Sequence, residues 1–180
     1  MTKKQEKENA NEVIKSFMET IKNETTKNVS NGGHNPTVYG LTREGEVLFV
    51  AMKNIPKDKN DKIEFLDSIS KKLFSSSDSI IAFGFTSHMN VTIKNEKREV
   101  ILVDVMDCEG NSNINIISVN RISPDKILGF SDSDEDLKDF NSYGWHKIND
   151  KKCPINNSNV LELIIAAYIN TIRNSIKEEE

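Results

Sequence analysis

Between Ile80 and Ile122 the chain alternates runs of branched apolar residues with polar breaks too short to be crossovers, and this pattern narrows the possible folds most. The runs are Ile80 to Phe85, Met89-Val91-Ile93, Val100 to Met106 and Ile114 to Ile122, all with the composition of strands. Asn95-Glu96-Lys97-Arg98 and Glu109-Gly110-Asn111-Ser112-Asn113 separate them. A parallel crossover needs about a dozen residues or more, so neighbouring runs must pair antiparallel, as a meander. In the run Val100 to Cys108, Ile101, Val103 and Val105 alternate with Val100, Leu102 and Met106, so both faces are apolar. Such a strand belongs in the middle of a sheet that is covered on both sides.

Helices supply the cover. Ala10, Val13, Ile14, Phe17, Met18 and Ile21 recur at the spacing of one helical face, with Lys4, Glu8, Glu12, Lys15, Glu19 and Lys22 on the others. The polar stretch Asn23 to Pro36, with Gly32-Gly33, reads as a linker, which makes this first helix a detachable arm for its own domain or for a second copy. Val38, Tyr39 and Leu41 lead into Arg43-Glu44-Gly45-Glu46 and out through Val47 to Met52, a hairpin in which glycine takes the positive φ of the reversal. After a polar loop with Pro56, a second helix starts at Asp61 with Glu64 as capping-box partner. It carries Ile63, Phe65, Leu66, Ile69, Leu73 and Phe74 inward and stops at Ser75-Ser76-Ser77-Asp78. Ile127 to Phe130 adds a short last strand. A tail helix capped by Asn159 and Glu162 buries Leu161, Ile165, Tyr168, Ile169, Ile172 and Ile176. The expected fold class is therefore α+β: a mainly antiparallel sheet of about five or six strands packed by two helices, plus an N-terminal amphipathic helical arm. Residues 1–35 form the arm and linker, and 36–177 a single α+β domain.

Composition limits the function classes. The 180 residues suit one core, and 24 Lys+Arg against 28 Asp+Glu leave a net charge of -4, which argues against a general nucleic-acid binder. No run approaches the roughly 18 apolar residues of a membrane span, and Met1 to Asn9 is too charged for a signal peptide, so a cytoplasmic protein without a membrane partner is expected. Cys108 and Cys153 lack neighbours at ligand spacing and read as free thiols in a reducing compartment. The sequons at Asn23, Asn28, Asn90 and Asn156 are what chance yields in an asparagine-rich chain.

Candidate chemistry is sparse. Asp132, Asp134, Glu135, Asp136 and Asp139 crowd around Lys138 in a pattern like the start of a calcium loop, yet Leu137 replaces the turn glycine and Tyr143 the bidentate glutamate. A solvated acidic loop, or a docking surface for a basic protein partner, fits better. Phe140, Tyr143 and the single tryptophan, Trp145, follow directly, and aromatics anchor interfaces. Asp132, Asp134, Glu135, Asp136, Tyr143 and Trp145 are thus the expected interaction surface. His34, His88 and His146 show no zinc spacing, although a site assembled across the fold could gather them. His88, Asp104 and Asp107 are the candidate metal ligands, but Asp104 and Asp107, three apart on a strand, point to opposite faces. Buried on the Leu102 face, Asp104 would need Arg98, Arg121 or a backbone amide. No phosphate loop, dinucleotide fingerprint or nucleophile elbow occurs, and no motif requires a cofactor. Lys94, Lys97, Arg98 and Arg121 would give only weak, salt-sensitive nucleic-acid contact.

The stretch from about Ile80 to Arg121 resembles a loose group of uncharacterised small bacterial and phage proteins. It is carried by an apolar strand, a polar break, Arg98-Glu99 opening an apolar strand into an acidic glycine turn, and a further strand ending in Arg121. Thr86-Ser87-His88 stands where that group has a tryptophan. The resemblance implies a small α+β domain of phage or mobile-element origin, without an established activity. Two functions follow as expectations. One is a non-catalytic interaction or regulatory protein, acting through its acidic and aromatic surface and forming a homo-oligomer through the N-terminal helix. The alternative is a metal-assisted hydrolase built from His and Asp residues that converge on the sheet.

Overall fold

The branched runs pair as their short breaks require. In the computed structural model, which describes residues 3–56, 58–76, 79–108, 111–132, 137, 146–147 and 158–178, strands β3 (Ile80–Ile93), β4 (Glu96–Asp107), β5 (Asn111–Ser123) and β6 (Lys126–Ser131) form an antiparallel meander. The hairpin of β1 (Thr37–Thr42) and β2 (Val47–Ala51) joins it through β1, giving the order β2-β1-β3-β4-β5-β6. A short β7 (His146–Lys147), not foreseen from sequence, pairs with β5 at Asn111 and Ser112. The α+β class with a mainly antiparallel sheet is thus the observed one.

Two details differ in the meander. Ile80 to Ile93 is a single strand, because Thr86-Ser87-His88 continues the pairing with Leu102 and its neighbours instead of interrupting it. The reversal into β4 takes only Lys94 and Asn95, at φ 49° and 67°. Two consecutive left-handed residues match the twist of the flanking strands, so Glu96, Lys97 and Arg98 belong to β4.

Helices cover both faces of the sheet. On one, α2 (Lys59–Phe74) and α3 (Ser158–Glu178) bury Leu66, Ile69, Leu73, Leu161, Ile164 and Tyr168 against Phe83, Phe85, Leu102 and Ile116. Asp58 caps α2 by accepting the amides of Asn60 and Asp61, so the helix starts two residues before the expected Asp61. Likewise α3 already includes Asn159, the residue expected to cap it.

On the other face lies α1 (Lys3–Ser30), which buries Ile14, Phe17, Met18 and Ile21 against Ala82, Ile101, Val103, Val105 and Ile117. This alters the expected domain division, since the helix shares its core with the sheet. It also corrects the linker: Asn23 to Ser30 is helix, and only Asn31 to Pro36 connects to β1. The buried stripe continues through Thr25 and Val29. Thr25 is tolerated inside because its hydroxyl donates to the Ile21 carbonyl at 2.7 Å. Among the described residues no helix is long and apolar enough to cross a membrane.

Candidate functional site

Alternation along β3, β4 and β5 places Thr86, His88, Glu99 and Arg121 on the face that α1 covers, at the end of the sheet beyond the helix's Val29. Glu99 is diagonal to both neighbours. Arg121 holds it in a fork, Nε to Oε2 at 2.5 Å and Nη2 to Oε1 at 2.6 Å, while His88 Nε2 sits 2.6 Å from Oε1. The Arg121 fork, aided by His88, holds the Glu99 carboxyl below the usual carboxylate range. Arg121 also donates through Nη1 to the Pro124 carbonyl at 2.9 Å. Arg121 and Glu99 thus neutralise each other within the sheet, with His88 bonded to the same carboxylate.

Next to it, His34 bridges from the α1–β1 connection to Thr86, with Nε2 2.7 Å from Oγ1. Burial pushes its pKa down to about 4, and nearby His88 adds to the shift. His34 is therefore neutral at physiological pH. Thr86 also belongs with Thr25 and Thr37 to the ring of hydroxyls around the Tyr39 phenol, whose pKa is raised by burial and by Glu24. Thr25, Thr37, Tyr39 and Thr86 are all buried, so this network pins the C-terminal half of α1 to β1 and β3.

Beside that network runs an open trough between α1 and the β1–β2 hairpin. Its first part, about 240 Å³, lies between Val13, Ser16 and Thr20 of α1 and Gly45 and Val47 at the hairpin turn, over Leu41. The second, about 200 Å³, lies between Glu24 and Asn28 of α1, His34, and Phe49 and Ala51 of β2, over Thr37 and Tyr39. Phe49 forms its outer lip, 62% exposed, and leans on Tyr39 with ring centroids 6.3 Å apart. Nothing in the sequence singled out this trough. The wall of its second part comes from a helix segment that reads as linker and from a hairpin strand in which Phe49 is not singled out.

No family model, curated protein or solved structure matches this chain.

The residues singled out from sequence are dispersed. Of the three histidines, His34 and His88 do converge, while the side chain of His146 lies outside the described residues. His88, Asp104 and Asp107 do not meet. Asp104 is buried on the α2–α3 face between Leu102 and Met106, opposite Phe85 and Ile114. Asp107 pairs with Ala82, six positions along β3 from His88 or roughly 20 Å of strand. Among the described residues no three of His, Cys, Asp and Glu gather to hold a metal ion. The cations foreseen for Asp104 are also elsewhere: Arg121 is on the opposite face bound to Glu99, and Arg98 bonds Glu96 at 3.0 Å near the hairpin tip. Of the expected interaction surface, Asp132 accepts from Lys22 of α1 at 2.8 Å, which ties the acidic segment to the helix and lowers the carboxyl's pKa. Asp134, Glu135, Asp136, Tyr143 and Trp145 lie outside the described residues.

Cys108 follows β4 at the sheet's other end. Its thiol donates to the Ile80 carbonyl at 3.4 Å, and burial with the adjacent Asp107 raises its pKa to about 11, which makes it a poor nucleophile.

Proposed function

We propose that this chain is a protein-interaction protein that holds an extended segment of a partner in the trough between α1 and β2. The observation that supports this reading is Phe49, an aromatic ring 62% exposed on the rim of a groove floored by buried Tyr39. An aromatic ring at the rim of a concave surface offers a partner a large contact area at small entropic cost. Two shallow open hollows lie one after the other between α1 and the hairpin, one at Val47 and one at Phe49 and Ala51, and such a row suits a short extended peptide better than a compact metabolite. Glu24 in the wall favours a segment that combines apolar side chains with a lysine or arginine.

The test is selection from a displayed random peptide library against the full chain. The expected result is enrichment of apolar peptides with a basic residue, whose binding is lost in Thr20→Arg, which fills the trough from an exposed position. Binding should survive Leu128→Ser at the far edge, where Leu128 is equally open to solvent. No enrichment, or equal binding to both variants, would refute the reading.

A further inference from the structure

The two outer strands of the sheet are built differently. On β6 the register with β5 shifts between Asn120 and Arg121 and again between Arg121 and Ser123, and the strand contains Lys126 and Gly129. Bulges, charge and glycine are the means by which an edge is kept from pairing. On β2 the register with β1 runs unbroken from Val47 to Ala51, through Val-Leu-Phe-Val-Ala, with no charge, glycine or proline. Thr42 N–H donates to the Glu46 carbonyl and Met52 N–H to the Pro36 carbonyl, so even-numbered residues of β2 bond inward to β1. The peptide groups of Val47, Phe49 and Ala51 consequently point outward, where no described strand pairs with them.

We infer that two copies of this chain associate by antiparallel pairing of their β2 edges, with Phe49 of each copy on the two-fold axis. An axis perpendicular to the sheet requires residues of like face to be opposite, and hydrogen bonding requires outward residues to be opposite. The register with Phe49 against Phe49 and Val47 against Ala51 meets both conditions and forms roughly six backbone hydrogen bonds. It covers the exposed Phe49 rings with each other on the α1 face, where aromatic pairs are favourable. The flanking charges agree with this direction. Glu44 and Glu46 precede the strand and Lys53 follows it, so antiparallel pairing brings Lys53 of one copy opposite Gly45 of the other, between the two glutamates. Parallel pairing would set like charges side by side. The apolar stripe of α1, expected from sequence to hold an oligomer together, is buried within its own chain, so the β2 edge takes over that role. Phe49 also rims the second part of the trough, so the two readings are separated by Thr20→Arg in the first part, which should abolish peptide binding and leave the dimer intact.

Light scattering on the full chain, from low micromolar to near-millimolar concentration, should show the mass rising from 20.4 kDa towards twice that value. Phe49→Asp places two carboxylates against each other on the axis and should hold the mass at 20.4 kDa, with the circular dichroism spectrum of the folded chain retained because the position is exposed. In a Cys108→Ser, Cys153→Ser background, Phe49→Cys should form a disulfide-linked dimer under mild oxidation, since opposed Cα atoms of a hydrogen-bonded pair lie about 5.5 Å apart. Leu128→Cys in the same background should stay monomeric. A constant 20.4 kDa for the unaltered chain, or a dimer that survives Phe49→Asp, would overturn the inference.

Discussion

Ile21 of α1 rests directly on Gly84 of β3: a Cβ added to Gly84 would lie 2.7 Å from Ile21 Cδ1 and 3.3 Å from Phe17 Cζ. Side chains do not approach so closely, so the missing Cβ is what lets the helix settle onto the strand. Ile21 and Phe17 are both buried, and their neighbours cannot simply swing aside.

Gly84→Ala should therefore cost about 1–3 kcal/mol of stability, as overpacking of a tight core does. Ile21→Val removes the clashing methyl, so the double variant should lose less than the sum of the two single changes. Urea denaturation of the four proteins in the cycle measures the coupling. If the substitutions prove additive, α1 does not sit on β3 within its own chain.

That contact also marks where sequence patterning reaches its limit. Period-two alternation in Val100 to Met106 was enough to place β4 centrally with cover on both sides, because a strand apolar on both faces has no other stable position. The meander followed from the short breaks in the same way. The seat of α1 was not legible, since one glycine within Ala82-Phe83-Gly84-Phe85 signals a close approach without naming what approaches. Thr25 obscured the rest of the helix: a threonine amid Asn23, Glu24 and Lys27 reads as a polar break until its hydroxyl is seen bonded to Ile21. The His34–Thr86 and His88–Glu99–Arg121 contacts join residues 52, 11 and 22 positions apart, which the α1–β1 connection and the strand register bring together.

His34 makes the fold sensitive to acid. Its pKa is lowered from 6.5 to about 4 on folding, so between those values the unfolded chain takes up a proton that the native state refuses. Stability is then fully present above pH 6.5 and falls as the pH drops towards 4. The ring is partly exposed, and with solvent screening the loss is on the order of 1–2 kcal/mol. His34→Gln, which keeps a polar contact to Thr86 but does not titrate, should flatten the curve across that window. Denaturation midpoints every half pH unit would show this, and a variant as acid-sensitive as the parent would contradict it.

Glu99 works in a lower window. Its folded pKa is depressed, chiefly by Arg121, so the stabilisation from the triad is present above the usual carboxylate range and lost as pH falls through the folded value. Glu99→Gln should remove the part of the acid slope below about pH 4.5. Salt should weaken the parent's advantage over this variant, because His88, Glu99 and Arg121 are all in part open to solvent. An unaltered slope below pH 4.5 would mean that the triad adds nothing to stability.

Cys108 should be unreactive despite its place near the surface. With the pKa raised from 9 to about 11, its thiolate fraction at pH 8 falls roughly a hundredfold. In a Cys153→Ser background, alkylation by iodoacetamide at pH 8 should be slower than that of a free thiol by roughly tenfold, since the more basic thiolate is the better nucleophile and recovers part of the loss, and urea should abolish the difference. Alkylation of the folded protein at the free-thiol rate would show that burial and Asp107 do not hold back the thiolate.

Tyr168 fastens α3 to the start of β3 through its hydroxyl and its ring, which can be tested separately. Its hydroxyl accepts the Ile80 N–H at 3.0 Å, and its ring meets Phe83 edge-on with centroids 5.2 Å apart. Tyr168→Phe keeps the ring and leaves that buried amide without this acceptor, which should cost about 1–3 kcal/mol and speed hydrogen exchange at Ile80. Tyr168→Ala removes the packing as well and should cost about 3–5 kcal/mol, the range for deleting a buried aromatic. Thermal unfolding gives the two steps, and exchange measured by NMR gives the amide. A neutral Tyr168→Phe with undiminished protection at Ile80 would mean that α3 is held by ring packing alone, with the hydroxyl idle.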